Sequence, residues 1–314
     1  MKTNFTIRLY FKKFWGGKFG HVKFRLVDCN CIGYLSLIAL LLLFFHETVD
    51  HWMNYIAVHL ASVLLILEII RRGEKQPYSK FFHFLRTFYP IAVLALSWSE
   101  MDATCRIFFS SYWATDDIIS LDYHIFGVHP TVWFQQFYRP WLDEIMNIFY
   151  SGFFLFMPLV SLTLYIQGKK QEALAAFSLG TFIHLSNFIL FRFFPTLAPF
   201  MTDSLQSLHP EQFTGYIFAE ITRITQANGA QRGGTFPSVH VSTAIGWALI
   251  AFRYQRKLGY VLIPASIGVA ISTVYLGFHH AMDAVFGFSW GVIAYLAALN
   301  LLRKRREDLP NSST

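Results

Sequence analysis

The sequence predicts an all-α, polytopic bundle of membrane-spanning helices, and three observations carry that prediction. Of 314 residues, 54% belong to the hydrophobic set and only 14% are charged, against about 25% charged in an average soluble domain. The apolar residues gather into runs of spanning length, about 20 residues each. With the N-terminus placed in the cytoplasm, all of the 26 Lys and Arg except Arg106, Arg139, Arg192, Arg223 and Arg232 fall in or beside cytoplasmic segments, as the positive-inside rule requires. The net charge of +7 is therefore a topology signal and not a nucleic-acid footprint. The same composition excludes a soluble enzyme, a disordered chain and a nucleic-acid module.

Along the chain, residues 5–15 (Phe5 to Trp15) are basic and aromatic, which suits a helix lying on the membrane surface or a frayed terminus. No small-residue cleavage site follows the first apolar run, so that run is expected to remain as an anchor. Eight spans are read at about 29–46, 52–70, 84–101, 145–167, 173–194, 240–254, 259–277 and 282–302. Glu100 and Asp102 crowd the end of the third, and the sixth is short, with Arg253 snorkelling to the interface. An even count places both termini in the cytoplasm. Two stretches on the opposite side are long. Residues 102–144 mix Asp116, Asp117 and Asp122 with Trp113, Trp133 and Trp141, a composition of short interfacial helices. Residues 195–239 are rich in Pro and Gly and read as a long loop, of the kind that is functional or disordered. Cys29, Cys31 and Cys105 are too few for a disulfide framework, and Cys29-x-Cys31 lacks a second ligand pair for zinc. Asn4-Phe-Thr6 and Asn311-Ser-Ser313 match the glycosylation pattern on the wrong side of the membrane and read as chance.

Ionisable residues at membrane depth are costly and are functional candidates by default. Two groups meet that test, both at non-cytoplasmic helix ends. In Gly233-Gly-Thr-Phe-Pro-Ser-Val-His240 a glycine-rich loop runs into the sixth span. The glycines and the Ser238 cap would leave backbone N–H groups open to a phosphate, although such a stretch is also an ordinary turn before a helix. In Tyr275-Leu-Gly-Phe-His-His-Ala-Met-Asp283, His279 and Asp283 are four residues apart and share one helix face. A carboxylate there can hold one imidazole nitrogen and leave the other free to attack or to move a proton. His280 is an alternative partner for Asp283. A His/His/Asp metal site is disfavoured, because adjacent residues point about 100° apart on a helix.

Phe236-Pro-Ser-Val-His240 followed by Ser272-x6-His279-x3-Asp283 resembles the type 2 phosphatidic acid phosphatase superfamily, and within it the inositol phosphorylceramide synthase branch. Val239 and Thr273 replace the Gly and Arg of the usual second and third motifs, and the first motif, Lys-x6-Arg-Pro, is missing. Arg139-Pro140 is a stray dipeptide two spans too early. In its place, Arg192-Phe-Phe-Pro-Thr-Leu-Ala-Pro199 resembles the Pro-x-x-Ala-Pro segment of the synthase branch, and Asp122-x3-Phe-Gly-Val-His-Pro130 with Trp133 looks like the segment that precedes the core in bacterial members. The resemblance covers about residues 115–300.

It implies a six-helix core of this superfamily with two additional N-terminal spans. The chain would divide into a cytoplasmic segment 1–28, a transmembrane hairpin 29–83, a catalytic membrane region 84–302 and a cytoplasmic tail 303–314. The implied chemistry needs no metal or other cofactor and passes through a phosphohistidine. His279 attacks phosphorus, Asp283 orients it, and His240 exchanges protons with the leaving and entering oxygens. Arg192, Arg232, Ser238 and the backbone of Gly233 and Gly234 are the expected phosphate ligands. Fewer cations than in the phosphatase branch suit a singly charged phosphodiester. The first expectation is therefore transfer of a phospho-headgroup, inositol phosphate favoured, from a phospholipid to a lipid alcohol such as ceramide. A lipid phosphate or polyprenyl diphosphate phosphatase is the second, and a transporter or scaffold the third. The site is expected on the non-cytoplasmic face, periplasmic or lumenal.

Overall fold

The computed structural model describes residues 24–208 and 215–305. The surface helix expected over residues 5–15 and the end of the C-terminal tail lie outside that range. Among the described residues every regular element is helical: α1 (Leu26–Phe44), α2 (Trp52–Lys75), α3 (Lys80–Ser99), α4 (Met101–Thr104), α5 (Thr115–Phe126), α6 (Pro130–Phe134), α7 (Pro140–Ile166), α8 (Lys170–Phe193), α9 (Ile217–Gly229), α10 (Val239–Tyr254), α11 (Arg256–Tyr275) and α12 (Ala281–Arg305). The fold is the expected all-α membrane bundle. Each of the eight apolar runs is a helix, and seven of these are long and apolar enough to cross a membrane.

The eighth is α10, with 16 residues. At a rise of about 1.5 Å per residue it covers about 24 Å, less than the ~30 Å hydrocarbon core. Its lower end is pinned, because only Gln255 separates it from α11. The upper end, where the Ser238 side chain caps the helix by accepting the Val241 N–H, therefore stops short of the far face. That face is called the site face here, and the one bearing Leu26 and Arg305 the terminal face. The 102–144 stretch does fold into short helices. The 195–239 stretch, read from its Pro and Gly as loop, instead contains the 13-residue helix α9. Ile217, Ile221 and Ile224 recur at helical spacing there and make it amphipathic.

Two features of the packing hold the site-bearing helices. First, α12 lies against α10 through glycines. A Cβ on Gly287 would sit 2.6 Å from the Ser238 carbonyl oxygen, and one on Gly291 would sit 2.4 Å from that of Ser242. Glycines four residues apart let two backbones meet where lipid offers no hydrophobic drive to association. Second, the N-terminal hairpin is fastened to the rest by polar contacts. On α1, Asn30 donates to the Ser178 carbonyl at 2.8 Å and to Thr181 Oγ1 at 3.0 Å, while Asp28 accepts from Tyr89 at 2.7 Å and meets Arg86 at 3.4 Å. Nearer the site face, His59 Nε2 lies 2.6 Å from Glu100 Oε2. Arg192 donates to Glu100 Oε1 at 3.4 Å, to Thr104 Oγ1 at 2.8 Å and to the Phe188 carbonyl at 2.7 Å. All three ionisable groups are buried.

Two outcomes follow from this packing. Glu100→Ala strips Arg192 and His59 of their shared carboxylate and should cost about 3–5 kcal/mol, read as a lowered unfolding midpoint of the purified protein in lipid nanodiscs. Gly291→Val should separate α10 from α12 at a cost of about 1–3 kcal/mol, whereas Gly33→Val, where a Cβ meets nothing within 4 Å, should leave the midpoint in place.

Candidate active site

Three elements converge at the site face. Helix α10 brings His240 in its first turn, the turn between α11 and α12 brings His279, and the first turn of α12 brings Asp283. Their relative position is set by backbone: the Ser238 N–H donates to the Asp283 carbonyl at 2.9 Å. The start of α12 is capped from a distant part of the chain. The Asp122 carboxylate on α5 accepts the N–H groups of Ala281 and Met282, each at 2.9 Å, and so neutralises two of the four orphan donors of that helix. Burial pushes the Asp122 carboxyl up, with these two bonds opposing the shift.

The side chains form a hydrogen-bonded row with one direction. The Gln226 amide donates to the Tyr150 hydroxyl oxygen, so the Tyr150 O–H is left to donate to His240 Nε2, 3.2 Å away. His240 then carries its proton on Nδ1 and donates to His279 Nε2 at 3.1 Å. His279 in turn donates from Nδ1 to Asp283 Oδ2 at 3.3 Å. Each neutral imidazole has one donor and one acceptor nitrogen, which propagates the order along the row. Burial pushes the His279 imidazole down to about 3, so at neutral pH its Nε2 holds a lone pair. His280 is not an equivalent partner for Asp283. Its backbone N–H donates to Asp283 Oδ2 at 2.9 Å, but its ring turns away to the Leu197 carbonyl at 3.1 Å.

The imidazole pair stands at one end of a cavity of about 450 Å³. Its walls come from α3 (Ile91, Trp98), α7 (Phe153, Met157), α8 (His184, Phe188) and α10 (Trp247), and it reaches well below the site face. Helices α3 and α7 share aromatic contacts at the terminal face, where Tyr165 meets His83, Phe84 and Phe88. Above these contacts they part around the cavity, with Ile91 and Phe154 in its wall and also 38% and 51% exposed. The opening thus faces the lipid side. Helix α9 forms the roof. Glu144 of α7 caps its start by accepting the N–H groups of Tyr216, Phe218 and Ala219, and Trp98 of α3 donates to the Gly229 carbonyl at its end.

The expected phosphate ligands are placed unequally. Gly234 lines the cavity. Gly233, with φ +74°, lies beneath Cys105, where a Cβ would come within 2.3 Å of the sulfur. Ser238 is buried and its hydroxyl is used as the helix cap. Arg232 is exposed beside the cavity-lining Gln231. Arg192 is not brought to the imidazoles. It is fully buried against Glu100 and Thr104, because a guanidinium at membrane depth is stable only with partners. Among the described residues that line the cavity, none is Lys or Arg, and no group of three or more His, Cys, Asp or Glu is placed to hold a metal ion. Tyr150, Gln226 and His184 escape sequence reasoning, since nothing local ties them to histidines far away in the chain. Asp122 does stand in a quoted motif, but its capping role does not show there.

Residues 116–297, more than half of the chain, match the model of the PAP2 superfamily. The match runs from α5 into α12 and takes in His240, His279 and Asp283, leaving α1 to α4 outside. The chain is also similar to a PA-phosphatase related-family protein of Dictyostelium discoideum, 31% identical over 93 residues, which are 29% of this chain and 17% of that protein. The matched part is thus about a sixth of that relative's length. No solved structure matches.

The direction of the row is testable without substrate. In protein labelled with ¹⁵N-histidine, His240 should show a single tautomer protonated on Nδ1. Tyr150→Phe removes the donor to Nε2 and should move the ring to mixed tautomers, with averaged nitrogen shifts. Unchanged shifts would show that Tyr150 does not order the row.

Proposed function

The chain belongs to the PAP2 superfamily, and from that premise we propose that it is a membrane phosphotransferase that moves a phospho-headgroup from a phospholipid to a lipid alcohol. The observation that carries this reading is the directed row of hydrogen bonds that runs through His279 to Asp283 and leaves the lone pair of the ring on Nε2, at the head of an apolar, laterally open cavity. In the first step the Nε2 lone pair forms a bond to phosphorus while the bond from phosphorus to the lipid oxygen breaks. His240, protonated on both nitrogens beside the bound anionic phosphate, passes its Nδ1 proton, which lies toward His279 Nε2, to that leaving oxygen and returns to the neutral ring. Asp283 holds the opposite nitrogen and balances the positive charge that grows on the His279 ring. In the second step His240 takes the proton of the entering hydroxyl, its oxygen bonds to phosphorus, and the P–N bond breaks. His240 thus serves in turn as acid and base.

The cavity lining favours a weakly charged phosphorus group. Without Lys or Arg in its wall, a phosphodiester with one charge is accommodated better than a terminal phosphate with nearly two. The N–H of Gly234 and the second amide N–H of Gln226, whose first is held by Tyr150, are the fixed donors proposed for the phosphoryl oxygens, with Arg232 at the rim for the headgroup. Inositol phosphate as headgroup and ceramide as acceptor remain the favoured pair, on the resemblance to the phosphorylceramide synthase branch. The α9 roof supports a lipid acceptor, since it covers the imidazoles on the side from which water would arrive. A phosphatase using water is the second reading, favoured by the printed name of the Dictyostelium relative. The basic residues at the terminal face, among them Arg71, Arg72, Lys169, Lys170, Arg256 and Lys257, support cytoplasmic termini and a site on the periplasmic or lumenal side.

Purified protein given phosphatidylinositol labelled in the inositol ring should form a labelled new lipid only when ceramide is added. With ³²P-labelled donor alone it should acquire an acid-labile phosphohistidine. His279→Ala should abolish both, and Asp283→Asn should slow turnover by about 10²- to 10⁴-fold. Phosphate release from phosphatidic acid with no dependence on a lipid alcohol would establish the phosphatase reading. Full turnover in His279→Ala would remove His279 as the nucleophile.

A further inference from the structure

His184 is a cavity-lining imidazole that the row of hydrogen bonds does not use. It sits on α8, half-buried in the cavity wall. Its Nδ1 lies 3.0 Å from the Gly180 carbonyl oxygen of its own helix. A carbonyl only accepts, so Nδ1 carries the proton, and in the neutral ring Nε2 is then an acceptor. Among the described residues Nε2 bonds to none. Other polar side chains at this depth are turned into helix contacts: Asn187 donates to Ser242 at 2.8 Å and Thr243 to the Val239 carbonyl at 2.6 Å. The cavity therefore presents a hydrogen-bond acceptor part-way along an otherwise apolar wall.

Its depth can be read from the register of α8 against α10. Asn187 is level with Ser242, and Ile183 is level with Gly246, whose Cβ position lies 2.5 Å from the Ile183 side chain. His184 falls between these levels, about five residues below His240, or about 7 Å at the helical rise. In a lipid alcohol the atom attached to the carbon next to the reacting carbon is four bonds from phosphorus, roughly 5 Å along a zigzag chain. Adding a hydrogen bond of about 2.9 Å reaches the level of His184. In a diacylglycerol that atom is an ester oxygen, which accepts only. In an amide-linked lipid it is an N–H, which donates. Trp247 lines the same stretch, and its buried Nε1–H has no partner, so it can serve a linkage carbonyl of either kind. The acceptor on His184 can serve only a lipid that brings a donor.

We propose that His184 determines acceptor choice, its Nε2 selecting lipid alcohols that carry an amide N–H, or a further hydroxyl, beside the reacting oxygen over ester-linked ones. This rests on the phosphotransferase reading for which lipid occupies the cavity, but its test is a binding measurement and does not depend on turnover. Full-length protein in nanodiscs is loaded with tritiated ceramide and challenged with unlabelled ceramide or with diacylglycerol of the same chain lengths. Wild type should prefer ceramide about tenfold, as one buried hydrogen bond allows. His184→Phe keeps a ring without Nε2 and should bring the two lipids to near parity. His184→Leu, a good helix former with no polar atom, also removes the acceptor and should do the same if the Phe variant unfolds. Equal affinities in wild type, or a preference that survives in a folded variant of either kind, overturns the proposal. Failure of the phosphohistidine experiment with the binding preference intact would instead fall on the reaction and leave the selectivity of the cavity standing.

Discussion

Gly287 and Gly291 allow α12 to lie with its backbone against that of α10, and the geometry of the site depends on that approach. A side chain at either position would need the space of the Ser238 or Ser242 carbonyl. Because the backbones meet, the Ser238 N–H reaches the Asp283 carbonyl, and the first turns of the two helices become one unit. His240 and Asp283 then stand on opposite sides of His279, each within hydrogen-bonding distance of one of its nitrogens. In water such an arrangement would compete with solvent for every hydrogen bond. Inside an apolar bundle, the alternative to the protein partner is no partner at all, which is why the row is continuous.

The same rule explains why one arginine has a structural place. Arg192 ends α8 on the correct face for a phosphate, but its guanidinium lies deep and is held by Glu100, Thr104 and the Phe188 carbonyl. Glu100 in turn is shared with His59 of α2. This buried set ties the N-terminal hairpin to α8, which packs against α10 and α12, although the hairpin lies outside the part that matches the superfamily. Asp122 does comparable work near the site. It is brought from α5 to the start of α12 and fixes the turn that presents His279 and His280.

The cavity makes chemical sense of the helix lengths. A short α10 places the imidazoles below the far face of the bundle, at a depth that the reacting part of a lipid can reach without leaving the bilayer. Parting of α3 and α7 opens the side, and α9 covers the top. For the proposed transfer between two lipids, a lateral opening combined with a roof would keep both partners in the membrane and hinder water from taking the place of the acceptor. The lining, apolar apart from a few hydroxyls, amides and imidazoles, suits lipid chains better than highly charged groups.

Much of this was legible in the sequence because it depends on short stretches of chain. Apolar runs of spanning length mark helices whatever they pack against, and all eight are present. The i, i+4 spacing of His279 and Asp283 puts them on one face before any tertiary contact exists. The superfamily, too, is written in two short motifs. Helix α9 was hidden because Pro and Gly on either side of it read as loop, although its Ile217–Ile221–Ile224 spacing was present. What the tertiary structure alone decided are the contacts between distant segments: Tyr150 on His240, Asp122 on α12, Glu100 on Arg192, and His184 beside the cavity. Local sequence determines where a helix runs and which face is polar. Which polar face meets which is decided only when the helices pack, because in an apolar medium a buried donor or acceptor finds a partner only where the fold supplies its complement.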